Sequence, residues 1–399
     1  MKKAAIIVIA VVLLALTLLG VKLYEFYQSV YSNGKNSSTQ KILEKTSYTI
    51  LIMGYGGEGH EGPFLTDTMM VANVDLKKKK VVLLSLPRDI WVKLPTKSGS
   101  DFYTKINSVY QMALYHKDYP DIPEKYGGEK GAIELLKLVI KETIGQTIDY
   151  YVAIDFTGFK KGVDILGGVD VKVEKTFDDY EYPLEGKKDD LCEKDEQFAL
   201  IKDFITPPYD EEARRKLFSE KPELQELVRA ATEEPNLAFP CRYEHLHFDA
   251  GLTHMDGETA LKYVRSRHSA QDGNDFGRAV RQQRFLEAVK DKVVNIGFIP
   301  KIIPLLDEMK DRIKTNMDIP IIQKFLKEAD NMNQYAIQNI VLSDQDYLTN
   351  SYSTAGGYIL VPREGMDSWN SIQTYIRNVI NGITPTPLPP IATPSAGLN

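Results

Sequence analysis

The stretch Thr68-Met69-Met70-Val71-Ala72-Asn73-Val74-Asp75-Leu76-Lys77-Lys78-Lys79-Lys80-Val81-Val82-Leu83-Leu84-Ser85-Leu86-Pro87-Arg88-Asp89 holds two apolar runs, a lysine-rich turn and a charged exit. Each run is short and bounded by polar residues, which predicts two buried strands over 68–74 and 81–86. Upstream, residues 48–53 predict another buried strand. Downstream, the pattern predicts helices over 105–116 and 129–144, the second closed by Gly145. Residues 150–154 predict a strand. Asp155 then suits the cap of a following helix, and Gly167-Gly168 its end. Residues 169–173 predict a further strand. Strands alternating with helices imply an α/β fold, an α/β/α sandwich around a mainly buried mixed sheet.

The chain has 399 residues, 43% of them hydrophobic and 26% charged, which suits a folded protein of one large domain or two. Its net charge of −6 argues against a general nucleic-acid binder. Lys2 and Lys3 precede 18 residues, 4–21, without a charge. That is long enough for a transmembrane helix, and bulky Leu18, Leu19, Val21 and Leu23 stand where a cleaved signal needs small residues. The expectation is a single-pass anchor over 1–24, with a cytoplasmic N-terminus and an extracytoplasmic domain in the cell membrane. A polar tether over 25–47, a domain over 48–382 and a proline-rich tail over 383–399 complete the organisation. Outside the membrane there is no ATP or NAD pool to use.

Residues 176–247 are rich in Asp, Glu, Lys and Pro and read as an insertion with one helical stretch, 211–231. Cys192 and Cys241 fall within it, as a disulfide or as two thiols. Helices are expected again from Asp256, over 276–294 and 299–314, and over 321–330 with Pro320 in its first turn. Residues 337–342 predict a last strand.

Arginine is unevenly spread. Five of the 13 (Arg265, Arg267, Arg278, Arg281 and Arg284) fall within 20 residues. Arginine outdoes lysine where phosphate or carboxylate is gripped by two parallel bonds. Arg278, Arg281 and Gln282 share a helical face, and Asp275 can cap that helix. Arg284 projects elsewhere. Arg88-Asp89 at a strand exit is a second candidate node. Thr66-Asp67-Thr68 is a third, where a carboxylate suits a Mg²⁺ bridging phosphates. Gly54-Tyr55-Gly56-Gly57-Glu58-Gly59 fits a dinucleotide fingerprint only by spacing, because a strand follows and not a helix. His245, His247 and His254 read as surface residues in an irregular region lacking a carboxylate pattern.

Taken in order, these motifs resemble the LytR-CpsA-Psr family of membrane-anchored cell-wall enzymes. The resemblance rests on Thr66-Asp67-Thr68-Met69, Ser85-Leu86-Pro87-Arg88-Asp89 and Lys105-Ile106-Asn107-Ser108-Val109-Tyr110. It continues in Asp164-Ile165-Leu166-Gly167-Gly168-Val169, in Gly257-Glu258-Thr259-Ala260-Leu261-Lys262-Tyr263-Val264-Arg265-Ser266-Arg267, and in Asp275-Phe276-Gly277-Arg278-Ala279-Val280-Arg281-Gln282-Gln283.

The resemblance implies a phosphotransferase that moves an anionic glycopolymer from a polyprenyl-pyrophosphate carrier to peptidoglycan. It implies Mg²⁺ on Asp67 and a pyrophosphate grip of Arg88, Arg265, Arg267, Arg278 and Gln282, with Arg281, Lys105 and Asn107 facing the same ligand. Asp89 would help activate the acceptor hydroxyl, and Asp275 would orient arginines. The family's first strand usually ends in Gly-x-Asp, a second metal ligand. Here Gly54-Tyr55-Gly56 lacks it, so Glu58, His60 or Glu61 would substitute, or water would. A hydrolase acting on the same carrier and a non-enzymatic wall-binding module are the competing readings.

Overall fold

The computed structural model describes residues 44–205, 208–295, 312–329 and 331–383. The expected anchor over 4–21, nearly all of the tether, the tail beyond 383 and most of the expected helix 299–314 lie outside them. Among the described residues, no helix is long and apolar enough to cross a membrane.

In chain order the elements are β1 (Ser47–Tyr55), β2 (Thr68–Asp75), β3 (Lys80–Ser85), β4 (Trp91–Leu94), β5 (Phe102–Lys105), α1 (Ser108–Leu114), α2 (Gly128–Ile144) and β6 (Tyr150–Asp155). Next come α3 (Phe156–Ile165), β7 (Val169–Val173), β8 (Phe177–Pro183), α4 (Asp195–Ile201), α5 (Glu211–Glu220), α6 (Pro222–Glu233), α7 (Pro235–Ala238), β9 (Tyr243–Phe248) and β10 (Gly251–Met255). The chain continues through α8 (Gly257–Arg265), α9 (Asp275–Asn295), β11 (Ile313–Thr315), α10 (Ile319–Ala329), β12 (Ala336–Val341), β13 (Leu348–Tyr352), β14 (Tyr358–Pro362) and α11 (Asn370–Asn381).

The fold is mixed α/β and divides into two compact units. Among the described residues, the first comprises those within 44–170, 255–261 and 279–383. Its centre is a six-stranded mixed sheet in the order β11-β6-β1-β2-β3-β12. β1 runs antiparallel to β2 and parallel to β6, and β3 runs parallel to β12. Both faces of the inner strands are buried. Tyr48 and Ile50 pack with Tyr150 and with Ile321 of α10, while Met70, Ala72 and Leu83 meet Leu286 of α9. Leu51, Met53, Met69 and Val71, of the opposite parity, are equally buried. Gln283 pins α9 to the sheet: its Nε2 donates to the Ile340 carbonyl at 2.8 Å and to Ser85 Oγ at 2.9 Å.

Local signals place the element ends. Gly145 closes α2 in the left-handed conformation, at φ 70°, where a side chain would be strained. Asp155 caps α3 by accepting from the Gly158 amide at 2.7 Å.

Several expectations are corrected. Residues 105–116 are not one helix: Lys105 ends β5, which pairs with β4, and α1 begins at Ser108. Lys314 lies in strand β11. The stretch 211–231 is two helices, because Pro222 cannot continue α5 and opens α6 instead. β13, β14 and α11 were not foreseen.

The second unit comprises residues 171–254 and 262–278, and so takes in more than the expected insertion 176–247. Its base is the antiparallel ribbon β8–β9, with Phe177 stacked on Phe248 and both against Tyr263. Helices α4 to α7 fill the excursion between the two strands, with Ile201, Leu224 and Val228 at their centre. Cys192 and Cys241 form a disulfide across a sequence separation of 49. Loop-closure entropy assigns such a bridge about 4 kcal/mol. Cys192→Ser with Cys241→Ser should destabilise the α4–α7 excursion by that order, read as earlier cleavage between β8 and β9 in limited proteolysis. Unchanged cleavage would show that the apolar cluster suffices alone.

Candidate functional site

In the first unit, register decides what meets. Gly54 at the end of β1 faces Thr68 at the start of β2, and Met70 faces Ser85 at the end of β3. Asp67 and Arg88-Asp89 are therefore delivered to one end of the sheet. The Thr66 amide and hydroxyl both donate to the Asn107 carbonyl, at 3.0 and 3.2 Å, and tie the loop before β2 to the start of α1.

One carboxylate oxygen gathers the cluster. Arg88 Nη1 lies 3.1 Å from Asp67 Oδ1, and Asn107 Nδ2 donates to the same oxygen at 3.2 Å. Asn107 stands at the N-cap of α1, where asparagine is favoured, yet its side chain makes no cap bond. It gives up a local role for a contact 40 residues away. Asp89 is 5% exposed and held between Lys105 Nζ, in a close ion pair, and Arg88 Nε at 3.6 Å. The structure thus places this buried carboxylate between two cations. Gln282 Nε2 donates to Thr68 Oγ1 at 2.9 Å, beside Asp67 in the chain. Arg281, also singled out from the sequence, is fully buried.

The loop after β1 is built around glycine. A Cβ on Gly56 would lie 2.8 Å from His60 Cβ, and the His60 ring packs edge-on to Phe156 at 5.2 Å. A side chain at 56 therefore requires the loop to move. Glu58 and Glu61 are exposed. No second Asp, Glu, His or Cys among the described residues converges with Asp67 into a three-ligand set. One carboxylate nevertheless fits Mg²⁺, which is commonly held by one or two carboxylates, water and substrate phosphate oxygens.

In the second unit, Asp275 sits between two arginines. Arg278 Nη2 is 3.2 Å from its Oδ1, and Arg267 Nη1 is 3.9 Å from the same atom. Asp275 does not cap α9, as the sequence suggested. Asn274, at φ 95°, does so by accepting from the amides of Phe276 and Gly277 at 2.9 and 3.0 Å. Asp275, the first residue of α9, engages guanidinium groups. Arg265 Nη1 donates to Tyr182 Oη at 3.1 Å, with its guanidinium over the Tyr182 ring.

Sequence reasoning missed Asp179, which is 1% exposed on β8. Its Oδ2 accepts from Ser266 Oγ at 2.6 Å and from the Arg267 and His268 amides at 3.1 Å each. It holds the backbone from which Arg267 projects. Its neighbour Asp178 hides the signal in an acidic stretch, and the partners lie 87 residues or more away.

Burial alone would raise the Asp179 carboxyl, but bonds from Ser266 and from the Glu181, His268 and Arg267 amides outweigh it and hold the group below its ordinary range. Its stabilising effect is present above the ordinary carboxyl value of about 3.9 and is lost as pH falls through the depressed folded value. Asp179→Asn should remove that dependence, and Asp179→Ala should cost roughly 3 kcal/mol by stranding three buried donors. Denaturant unfolding at pH 2 to 6 reads both. The same acid limb in wild type and Asp179→Asn would contradict the assignment.

Comparison with known proteins agrees with this architecture. The LytR_cpsA_psr family model matches residues 20–371. The chain is 26% identical over 332 residues to the polyisoprenyl-teichoic acid–peptidoglycan teichoic acid transferase TagV of Bacillus subtilis, covering 80% of this chain and 64% of that one. It thus spans just under two thirds of that relative's length. It is 23% identical over 327 residues to the corresponding transferase TagU of Enterococcus faecalis, covering 79% of each. The crystal structure of B. subtilis TagV shares the fold, with TM-score 0.52 at 21% identity, over 86% of this chain and 99% of that one. The chain belongs to the LytR-CpsA-Psr family.

Proposed function

We propose that this chain is a phosphotransferase that moves an anionic glycopolymer from a polyprenyl-pyrophosphate carrier to peptidoglycan or another cell-envelope acceptor. The observation that carries the proposal is the pre-assembled cluster of Asp67, Arg88, Asn107, Lys105 and Asp89 in a member of this family. The two relatives named above are teichoic acid transferases by name, which supports the same class of reaction here.

Phosphoryl transfer asks mainly for positioning and charge neutralisation. The acceptor oxygen bonds to the sugar-side phosphorus, the phosphoanhydride bond breaks, polyprenyl phosphate leaves and the acceptor proton passes to solvent. Arg88 and Lys105 would bind the pyrophosphate oxygens, with Asp89 fixing both cations in place. Asn107, Gln282 and Arg281 belong to the same proposal; within the second unit, Arg265, Arg267 and Arg278 are proposed as anion-binding groups in their own right, with Asp275 orienting the last two. Asp67 would hold Mg²⁺, which when bound supplies further neutralisation of phosphate charge.

The carrier's bond energy makes a nucleotide unnecessary, so the reaction suits the outer side of the membrane. The Cys192–Cys241 disulfide supports that placement, since such bonds persist in oxidising compartments. Residues 1–24 would hold the domain beside its lipid donor.

The test uses the full chain in detergent with a polyprenyl-pyrophosphate saccharide, Mg²⁺ and purified peptidoglycan. Sugar phosphate should appear on the peptidoglycan, and Arg88→Ala should lower the rate on the order of 100-fold or more. Chelation should slow the wild type, and a comparable loss in Glu58→Gln, His60→Ala or Glu61→Gln would identify a substitute ligand. Sugar phosphate released only into solution would make the protein a hydrolase. Tight carrier binding without turnover would make it a binding module, and transfer unaffected by Arg88→Ala would remove the cluster from the reaction.

A further inference from the structure

The chain has two tryptophans, Trp91 and Trp369, and the first unit brings both to one surface. β4 begins just after Asp89 and pairs with β5, so that Trp91 faces Lys105 and Lys93 faces Tyr103. Alternation puts these four side chains on one face of the ribbon, while Val92 and Leu94 are buried on the other. The Trp91 and Tyr103 rings are partly exposed and nearly parallel, with 10° between planes and 6.4 Å between centroids. Tyr103 Oη donates to Asp367 Oδ2 at 2.6 Å. Asp367 and Trp369 then line a cavity of about 280 Å³ together with Val92, Lys93 and Glu142. Gln373 Nε2 donates to the Glu142 carbonyl at 2.6 Å and ties the two walls, α2 and α11, together. Partial burial and the neighbouring Asp367 push the Glu142 carboxyl above its ordinary value, as expected where two carboxylates share a small space.

We propose that this face, from Trp91 and Tyr103 to the cavity at Trp369, binds the acceptor of the reaction as a neutral glycan strand. The choice of occupant rests on the transferase reading given above. The flat apolar face of an aromatic ring packs against the C–H face of a sugar ring. Carboxylates accept from sugar hydroxyls, and Glu142 and Asp367 offer such oxygens beside Trp369. The same two carboxylates repel an anionic polymer, which separates the acceptor from the charged donor. Lys93 does not reverse that balance, because its Nζ pairs with Asp101 at 2.5 Å. The cavity is just smaller than the roughly 300–1,000 Å³ that encloses a drug-sized ligand, which suits one ring of a longer chain lying across the surface.

Position supports the same occupant. A chain of contacts runs from Asp67, the proposed metal ligand, through Arg88 and Asp89 to Lys105, and the ribbon face continues from Lys105. In-line phosphoryl transfer sets the attacking oxygen opposite the leaving group. A glycan on the ribbon reaches the cluster from its Lys105 end, away from Asp67. Trp91, Tyr103 and Trp369 are positioning groups in this account.

The two tryptophans also make the test direct, because intrinsic fluorescence of the chain reports on this face. The full chain in detergent is titrated with peptidoglycan glycan strands freed of their stem peptides. Emission should change saturably, with a dissociation constant on the order of 0.1–1 mM. By isothermal titration, Trp91→Ala and Trp369→Ala should weaken binding about tenfold, and Glu142→Gln about threefold. In the transfer assay Trp369→Ala and Glu142→Gln should raise KM for the glycan by similar factors and leave KM for the carrier unchanged. Far-UV circular dichroism checks that the alanine variants fold, and Glu142→Gln changes an exposed side chain only. Wild-type glycan affinity in both Trp369→Ala and Glu142→Gln would overturn the proposal. So would a fluorescence response to the polyprenyl-pyrophosphate saccharide with none to the glycan, which would give the face to the donor. Glycan binding that depends on these residues in a chain that transfers nothing would leave the saccharide surface standing and overturn the transferase reading instead.

Discussion

The antiparallel register of β1, β2 and β3 is the constraint on which the first unit's chemistry rests. Because Gly54 faces Thr68 and Met70 faces Ser85, three chain segments reach one end of the sheet with fixed offsets. A slip of one residue would turn every side chain of a strand to the opposite face. It would break the side-chain packing on both faces and carry Asp67 away from Arg88. Both faces of the sheet are apolar and buried, so such a slip is costly, and the charged cluster inherits its precision from the core.

A common device recurs in both units. Four of the arginines singled out for anion binding each have a polar group that fixes them before any ligand arrives. Asp67 and Asp89 hold Arg88, Asp275 holds Arg267 and Arg278, and Tyr182 holds Arg265. Guanidinium groups left to wander would lose side-chain entropy on meeting a pyrophosphate, and pre-organisation removes that cost in advance. Carboxylates beside arginines also oppose an incoming anion, so the balance within each cluster sets affinity. A divalent ion on Asp67 would shift that balance toward binding.

Local order was legible in the sequence and distant pairing was not. The first three strands, α2 with its Gly145 stop and the Asp155 cap depend on neighbours within a few residues, and they stand where expected. Lys105-Ile106-Asn107 continued a helical pattern, yet pairing with β4 draws Lys105 into a strand. β13 has the weak pattern Leu348-Thr349-Asn350-Ser351-Tyr352, and its pairing with β14 decides its state. The motifs named Asp67, Arg88 and Asp275 as site candidates, and the geometry around each is specific. Asp179 stayed hidden because its role depends on backbone amides far along the chain. His245 and His247 lie on a regular strand, β9, and the Asp178 carboxylate that faces both stayed hidden because it lies across a strand pair whose register no local pattern encodes.

The central claim is that the Arg88 cluster binds the pyrophosphate of a lipid carrier. It is tested most directly by a ³¹P NMR titration of a short-chain polyprenyl-pyrophosphate saccharide with the wild-type chain and with Arg88→Lys, which keeps the charge and loses the planar fork. The account predicts saturable shifts of both phosphorus resonances in the wild type and much weaker binding in the variant. Equal shifts and equal affinity in the two proteins would contradict it.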